Sequence, residues 1–470
     1  MRDTGVKTAI RPFSPTEFAR RVWITTAVAF LPVFAVCGCA NPPSRNRASV
    51  SQNIAARFGL SVASPPQSPS PGQALVPEGL LEGRPVSEEQ AVILAMWNNA
   101  AFNEALVELD LTRSDLIQAG LLPNPEVVYF WPEVGKPLKY LIDFPLESLW
   151  LRPIRIKATA AENERASSRL TQLALDLIRD TRQGHADLRL AQDRVAVAER
   201  ALSVRKRVLE LAEARFKAGD ISTLEVSTAR IDALRAEQDY IRSKYDVTTA
   251  GERLRNLTGL SHYTFTMLAE NTPFEPPGTL SVDELAADAV RTRPDAIAAE
   301  QATAAAAERL RIARIGWVRF LGLLDATSGK KTGHEFGPAL RMTLPICNWN
   351  QGGIARAKAE LEQLERRQET VYNQIVMDVR TAFARYEQAR AELDFLRAKT
   401  QPEVEAVIRR TETAYKEGNV TFVIVLETQR QLIDTIARDA VLRAELRRAW
   451  ADLERSVGRR LTPSTPETPR

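Results

Sequence analysis

The chain repeats itself. Lys217-Ala218-Gly219-Asp220-Ile221-Ser222 returns 199 positions later as Lys416-Glu417-Gly418-Asn419-Val420-Thr421, and Leu254 and Gly259 meet Leu453 and Gly458 at the same offset. Phe144-Pro145-Leu146 returns as Leu344-Pro345-Ile346 at an offset of 200, and Ser87 with the helical pattern behind it returns at Ser281, 194 positions on. Independent landmarks at nearly one spacing mark a tandem duplication, so the fold has to be one that two copies of a single plan build together.

Each copy opens with a helical pattern, Glu88 to Gln118 and Val282 to Ile312, followed by strand character. Phe336, Pro338, Leu340, Met342 and Leu344 alternate with Glu335, Gly337, Ala339, Arg341 and Thr343, a period of two with one apolar face. In the first copy Tyr140, Ile142, Phe144 and Leu146 alternate with Leu141, Asp143, Pro145 and Glu147. Glu126 to Trp131 and Ile315 to Leu323 are the expected partners, joined through Pro132 to Pro137 and through Ala326 to Gly333, one hairpin per copy.

Helix resumes at Pro153, a favoured first-turn residue, and runs to Lys217; its second copy spans about Gly353 to Lys416. There Leu361, Leu364, Val371, Ile375, Val379, Ala382, Tyr386, Leu393 and Leu396 keep a three-four spacing that forms a coiled-coil seam. Some 65 residues at 1.5 Å each span roughly 100 Å, too long for a compact globule. A glycine then turns the chain and helices return over Ser222 to Leu257 and Thr421 to Val457. The fold class expected is mainly α, with duplicated long coiled-coil helices and four β-strands per chain. Four strands cannot close a membrane barrel, and open sheet edges are not tolerated in lipid. Membrane strands would have to be pooled by several chains; a small soluble sheet on a helical bundle is the other reading.

The N-terminus carries Arg11, Arg20 and Arg21 ahead of an apolar run from Val22 to Gly38, the length of a secretory h-region. Residues 1–38 read as a signal peptide, with an uncleaved membrane helix as the alternative. Val36-Cys37-Gly38-Cys39 resembles the lipobox of bacterial lipoproteins, which makes Cys39 the acylated first residue of the mature chain; Ala40, rather than Asp, favours the outer membrane. Only Cys347 then remains, so the mature chain forms no internal disulfide. Pro42, Pro43, Pro65, Pro66, Pro69, Pro71 and Pro77 lie among serines in an extended tether, part of a lipid-anchored segment 39–85. The two copies occupy 86–260 and 281–460, with a connector at 261–280 and a disordered tail at 461–470.

The 63 Lys and Arg against 59 Asp and Glu leave a net charge of +4, no broad footprint for nucleic acid. Only 7% of residues are aromatic and mean hydropathy is negative, which suits long helices with charged faces. His185, His262 and His334 read as surface histidines, none beside a Cys or acidic cluster at ligand spacing. No phosphate-binding glycine loop or nucleophile elbow is present, Cys347 reads as a small packed residue, and Arg447-Arg448 and Arg459-Arg460 as solvated helix charges. No catalytic residue, cofactor or metal site is expected.

Gly120-Leu121-Leu122-Pro123-Asn124-Pro125 before the first strand, the strand ends at Pro145 and Pro345, Arg293-Pro294-Asp295, Asn348-Trp349-Asn350-Gln351-Gly352-Gly353 and the paired turns together resemble the TolC-type outer-membrane efflux protein family over about residues 86 to 460. The resemblance, with the lipobox, is to its lipoprotein branch. It implies a trimer pooling four strands per chain into a twelve-stranded outer-membrane barrel, continuous with a twelve-helix periplasmic tunnel. It implies a passive, non-enzymatic exit duct for drugs or metal ions, working with a periplasmic adaptor (membrane fusion protein) and an inner-membrane pump of RND or ABC type. A type I secretion duct for polypeptides is the alternative within the family. A periplasmic coiled-coil adaptor or structural lipoprotein is the alternative outside it.

Gly219 and Gly418 suit tight turns because glycine reaches positive φ cheaply. Asp220, Ile221 and Ser222, with Asn419, Val420 and Thr421, suit caps of the returning helices. The resemblance makes these turns the tunnel's periplasmic tip, where adaptor hairpins dock. It also makes Glu225 and Glu427 pore-narrowing carboxylates, three of each in a trimer, with Ile424 where the family often has a further acid. The local alternative is an ordinary solvated helix face.

Overall fold

A computed structural model describes residues 44–59, 74–76, 85–131, 138–263, 266–272, 274, 280–329, 333–417 and 419–461. The signal peptide, Cys37, Cys39, the Pro132–Pro137 loop, Gly418 and all but the first residue of the C-terminal tail lie outside the described residues. The chain forms two compact units.

One unit takes in residues 114–160 and 307–358 and contains a four-stranded antiparallel sheet in the order β1-β2-β3-β4. The strands are β1 (Glu126–Phe130), β2 (Leu138–Pro145), β3 (Phe320–Gly329) and β4 (Gly333–Met342). The expected hairpins are both present, and they join edge to edge: β2 pairs with β3 from Leu138↔Ser328 to Pro145↔Leu321, so the two copies share one sheet. The second hairpin is shifted from its expected place. Residues through Ile315 stay helical, and Ala326 to Gly329, read as loop, remain in the ladder, because backbone hydrogen bonds do not discriminate against Ser or Thr. The first long helix begins at Glu147, six residues before Pro153, which sits inside it. Glu147 accepts from the Phe320 N–H at 3.1 Å, and the Ser148 hydroxyl donates to the Pro145 carbonyl at 2.6 Å.

The other unit takes in residues 45–113, 161–306 and 359–461 and is helical. Its first helix, α1 (Arg47–Phe58), lies within the segment 39–85 expected to hold an extended tether, and corrects that expectation over these 12 residues. A capping box between Asn46 and Ser49 starts it, and Val50, Ile54 and Phe58, one helical stripe, bury against Val92, Ala95, Leu170 and Ile178. The short helix opening each copy is two helices, not one. In the first copy, α2 (Glu88–Asn98) and α3 (Ala100–Gly120) break at Asn99, whose side chain accepts the Phe102 N–H at 3.0 Å. In the second, α4 (Val282–Thr292) and α5 (Pro294–Ile315) break at Arg293, which Pro294 pushes out of the helical region to ψ 138°.

The long helix of the first copy, α6 (Glu147–Lys217), is unbroken over 71 residues, and α7 (Thr223–Leu257) returns. The second copy reads α8 (Gln351–Phe395), a π segment (Leu396–Thr400), α9 (Gln401–Lys416) and α10 (Phe422–Val457). Ile375, Val379, Ala382, Tyr386, Leu393 and Leu396 of the expected seam are buried in one cluster with Leu442, Leu446, Trp450, Leu453 and Val457 of α10. The copies meet where Leu190 of α6 packs on Ala440 and Ala444 of α10.

Candidate functional site: a one-sided apolar sheet and two paired turns

The sheet register decides which side chains share a face, because directly opposed residues point the same way. Following the pairs across all four strands puts Val127 and Tyr129, Tyr140, Ile142 and Phe144, Gly322, Leu324 and Ala326, and Pro338, Leu340 and Met342 on one face. That face carries no charge at these positions. The opposite face holds all of Glu126, Lys139, Asp143, Asp325 and Arg341, interspersed with Val128, Phe130, Leu141, Leu321 and Leu323. There Lys139 pairs with Asp325 at 2.8 Å and Arg341 with Asp143 at 3.6 Å. Val127, Tyr129, Leu340 and Met342 are exposed in the single chain, as is Trp131 just beyond β1. Among the described residues, strands β1 and β4 each pair on one side only. An apolar face opposite a charged one, bounded by two open edges, is the alternation of a membrane barrel wall whose polar face lines a lumen.

The turns lie in the helical unit. Gly219 has φ +82°, and the Asp220 N–H donates back five residues to the Arg215 carbonyl at 3.0 Å. The Asn419 N–H donates equally to the Ala414 carbonyl at 2.8 Å, so the same helix-ending bond recurs at the repeat offset. Ser222 and Glu225 form a full capping box on α7: the Glu225 carboxylate accepts the Ser222 N–H at 2.7 Å. That backbone hydrogen bond is the main reason the carboxyl sits below its ordinary range. Thr421 makes no side-chain cap bond to α10. Glu427 is held instead by Arg430, one turn on, at 2.8 Å. Beside the turns, Leu224 and Val423 are 75% and 70% exposed, with Ile424 also on the surface.

Several side chains differ from their sequence reading. His185 is buried, its Nε2 2.9 Å from the Val86 carbonyl, and burial pushes it below the usual imidazole range. Cys347 is exposed rather than packed. Arg447 is mostly buried against Glu88 and the Thr272 carbonyl, and Arg448 pairs with Asp187, so neither is simply solvated. Sequence reasoning did not find the buried pair of Arg182 and Glu454, 272 residues apart and 8% and 3% exposed. Nor did it place Arg293, which is buried and bonded to Asp295, Asp378 and the Ser456 carbonyl. Among the described residues, no group of three or more His, Cys, Asp or Glu is placed to hold a metal, and no helix is long and apolar enough to cross a membrane.

The family model described as outer membrane efflux protein matches residues 145–260 and 285–459, more than half of the chain and both copies. The chain belongs to the outer membrane efflux protein family. Among curated relatives, the cobalt-zinc-cadmium resistance protein CzcC of Cupriavidus metallidurans is 25% identical over 386 residues, covering 80% of this chain and 90% of its own length. The nickel-cobalt-cadmium resistance protein NccC of Alcaligenes xylosoxydans xylosoxydans is 26% identical over 273 residues, 55% of this chain and 60% of its own. Among solved structures, CusC superposes with a TM-score of 0.66 at 16% identity, covering 84% of this chain and 99% of that one. VceC of Vibrio cholerae gives 0.65 at 15% identity, with 79% and 96% covered. Both the family and these folds are of channel proteins, not enzymes, and this outer membrane efflux protein shares their fold, mainly helical with a small four-stranded antiparallel sheet.

Proposed function

We propose that the chain is the passive outer-membrane exit duct of a tripartite efflux system that discharges divalent transition-metal cations. Three chains would pool their four strands into a closed twelve-stranded barrel, which removes the open edges of β1 and β4 and turns the apolar face to lipid. The single observation that carries this reading is that register-aligned face, apolar across all four strands while the charges collect opposite. Acylation at Cys39 would hold the chain to the outer membrane from its periplasmic side. The turns at 217–222 and 416–421 would receive the hairpin tips of a periplasmic adaptor, whose inner-membrane pump supplies the energy. Exposed Leu224, Val423 and Ile424 beside them offer apolar contact for such a partner. The metal cargo is favoured by the two resistance proteins named above.

The test is a strain lacking this gene, challenged with cobalt, zinc, cadmium and nickel salts and with organic drugs. Sensitivity to the metals, restored by the intact gene and not by one encoding a β1 deletion, is the expected result. Unchanged metal tolerance would remove the cargo assignment. Release of the Cys39→Ser protein from membranes by carbonate washing would remove the barrel and favour a peripheral lipoprotein.

A further inference from the structure

A cavity of about 360 Å³ opens in the helical unit between α6, α10, the end of α8 with its π segment, and Asn271, Thr272 and Phe274 of the connector. Its volume falls within the range of small-ligand sites. Four arginines, Arg189, Arg397, Arg443 and Arg447, line it together with one carboxylate, Asp193. We infer that this cavity is a binding site for a small multiply charged oxyanion, of the phosphate or polycarboxylate class, gripped by the guanidinium groups of Arg189, Arg397, Arg443 and Arg447.

The carboxylates nearby do not match the cations. Asp193 is shared between Arg189 at 2.5 Å and Arg443 at 3.4 Å, and Asp439 between Arg443 at 2.8 Å and Arg397 at 2.9 Å. Glu88, 3.5 Å from Arg447, is also taken by Arg182 at 3.1 Å. The buried Nε of Arg189 donates to nothing among the described residues. Arg447 is held below its ordinary pKa first by burial, then by the crowding of Arg443 and Arg189, while Glu88 works the other way. An anion in the cavity would relieve that crowding, and forked guanidinium donors suit phosphate and carboxylate oxygens. The repeat supplies an internal control. At the 199-residue offset the counterparts of Arg397, Arg443 and Arg447 are Ala198, Lys244 and Thr248, so building this helical plan does not demand such a cluster.

Binding is independent of the efflux reading and is measured without it, by isothermal titration of the full chain in detergent at fixed ionic strength. The probes are inorganic pyrophosphate, for the phosphate class, and citrate, for the polycarboxylates. Saturable binding of at least one probe is expected, and the tighter of the two identifies the class. Arg443→Gln leaves Asp193 with Arg189 and Asp439 with Arg397, so the fold is undisturbed, and it should weaken binding about tenfold or more. Asp193→Asn should tighten it. Absence of saturable binding by both probes, or equal affinity in wild type and Arg443→Gln with an unchanged melting temperature, would overturn the proposal.

Discussion

The two copies place a glycine at the same structural point, just past the returning helix, yet the same substitution should cost very different amounts. Gly259 and Gly458 have φ of +69° and +85°, so alanine at either pays the left-handed penalty of about 1–2 kcal/mol. At Gly259 a Cβ would stand 2.2 Å from the Asn98 carbonyl oxygen and 2.5 Å from its carbon, both backbone. That backbone cannot retreat cheaply, since the Asn98 side chain is tied to Leu75 N and O at 2.7 and 2.9 Å and to the Leu94 carbonyl at 3.1 Å. Overpacking of this kind adds about 1–3 kcal/mol, for a total near 2–5. At Gly458 the nearest atom is the Arg293 Cγ at 2.9 Å, a side-chain methylene rather than backbone; because Arg293 is buried and bonded to Asp295, Asp378 and the Ser456 carbonyl, it yields only at a cost of its own, and the total is about 1–3 kcal/mol. The gap of about 1–2 kcal/mol is roughly five- to thirtyfold in the unfolding equilibrium. Thermal unfolding of the detergent-solubilised chain, followed by helical circular dichroism, should rank wild type above Gly458→Ala above Gly259→Ala. Asparagine, which tolerates positive φ but carries the same Cβ, should recover part of the loss at 458 and none at 259. Equal damage at the two sites, or recovery by asparagine at 259, would refute the steric account.

The capping asymmetry predicts that Ser222→Ala lowers stability by about 1 kcal/mol while Thr421→Ala is near neutral, read by the same melts. Because hydrogen bonding depresses the Glu225 pKa, its contribution to the capping box is present above the unfolded carboxyl value and is lost as pH falls through the folded one, a slope that Glu225→Gln should abolish. Glu454→Ala strands Arg182 with Glu88 and leaves the Leu461 N–H without its acceptor, costing about 3 kcal/mol, the low end for a broken buried pair. Burial raises the Glu454 pKa, so its protonated form favours the folded state: that stability is full below the unfolded carboxyl value and fades as pH rises through the folded one. Joint neutralisation of Glu225 and Glu427 should weaken cation selectivity in single-channel recordings; unchanged reversal potentials would show that these carboxylates act only as helix caps and surface partners.

What could be read from the residues follows from which signals are local. Tight turns, the α8 seam and the hairpins announce themselves through glycine, three-four spacing and period two. The breaks at Asn99 and Arg293 were legible in principle, since Pro294 disfavours helix at the residue before it and Asn is a preferred cap, yet continuous apolar periodicity on either side conceals them. Helix α1 hides among prolines because its stripe of Val50, Ile54 and Phe58 matters only once α2 and α6 supply a surface. The cost of misreading is largest for charges. Arg182 and Glu454, or Arg293 and Asp378, look like ordinary helix-surface residues until α6, α8 and α10 converge. Sequence spacing carries no information about which polar side chains a tertiary contact will enclose.

The second long helix departs from its twin at a π segment, Leu396–Thr400, where the first copy stays α-helical. Pro402 has no N–H to offer the carbonyl four residues back, and its ring crowds that carbonyl, so the chain slips to a five-residue register in which the Gln401 N–H donates to the Leu396 carbonyl. At the turn-anchored offset its counterpart is Ser203, whose hydroxyl bonds the Arg200 carbonyl at 2.8 Å inside an unbroken helix. The slip involves few residues, but Arg397 lies within it, and Arg397 is one of the four guanidinium groups facing the cavity. Duplication therefore supplies matched seams and turns, which a tubular assembly needs to repeat. A single imino acid then alters the path of one copy at the point where Arg397 joins the cavity that both copies line.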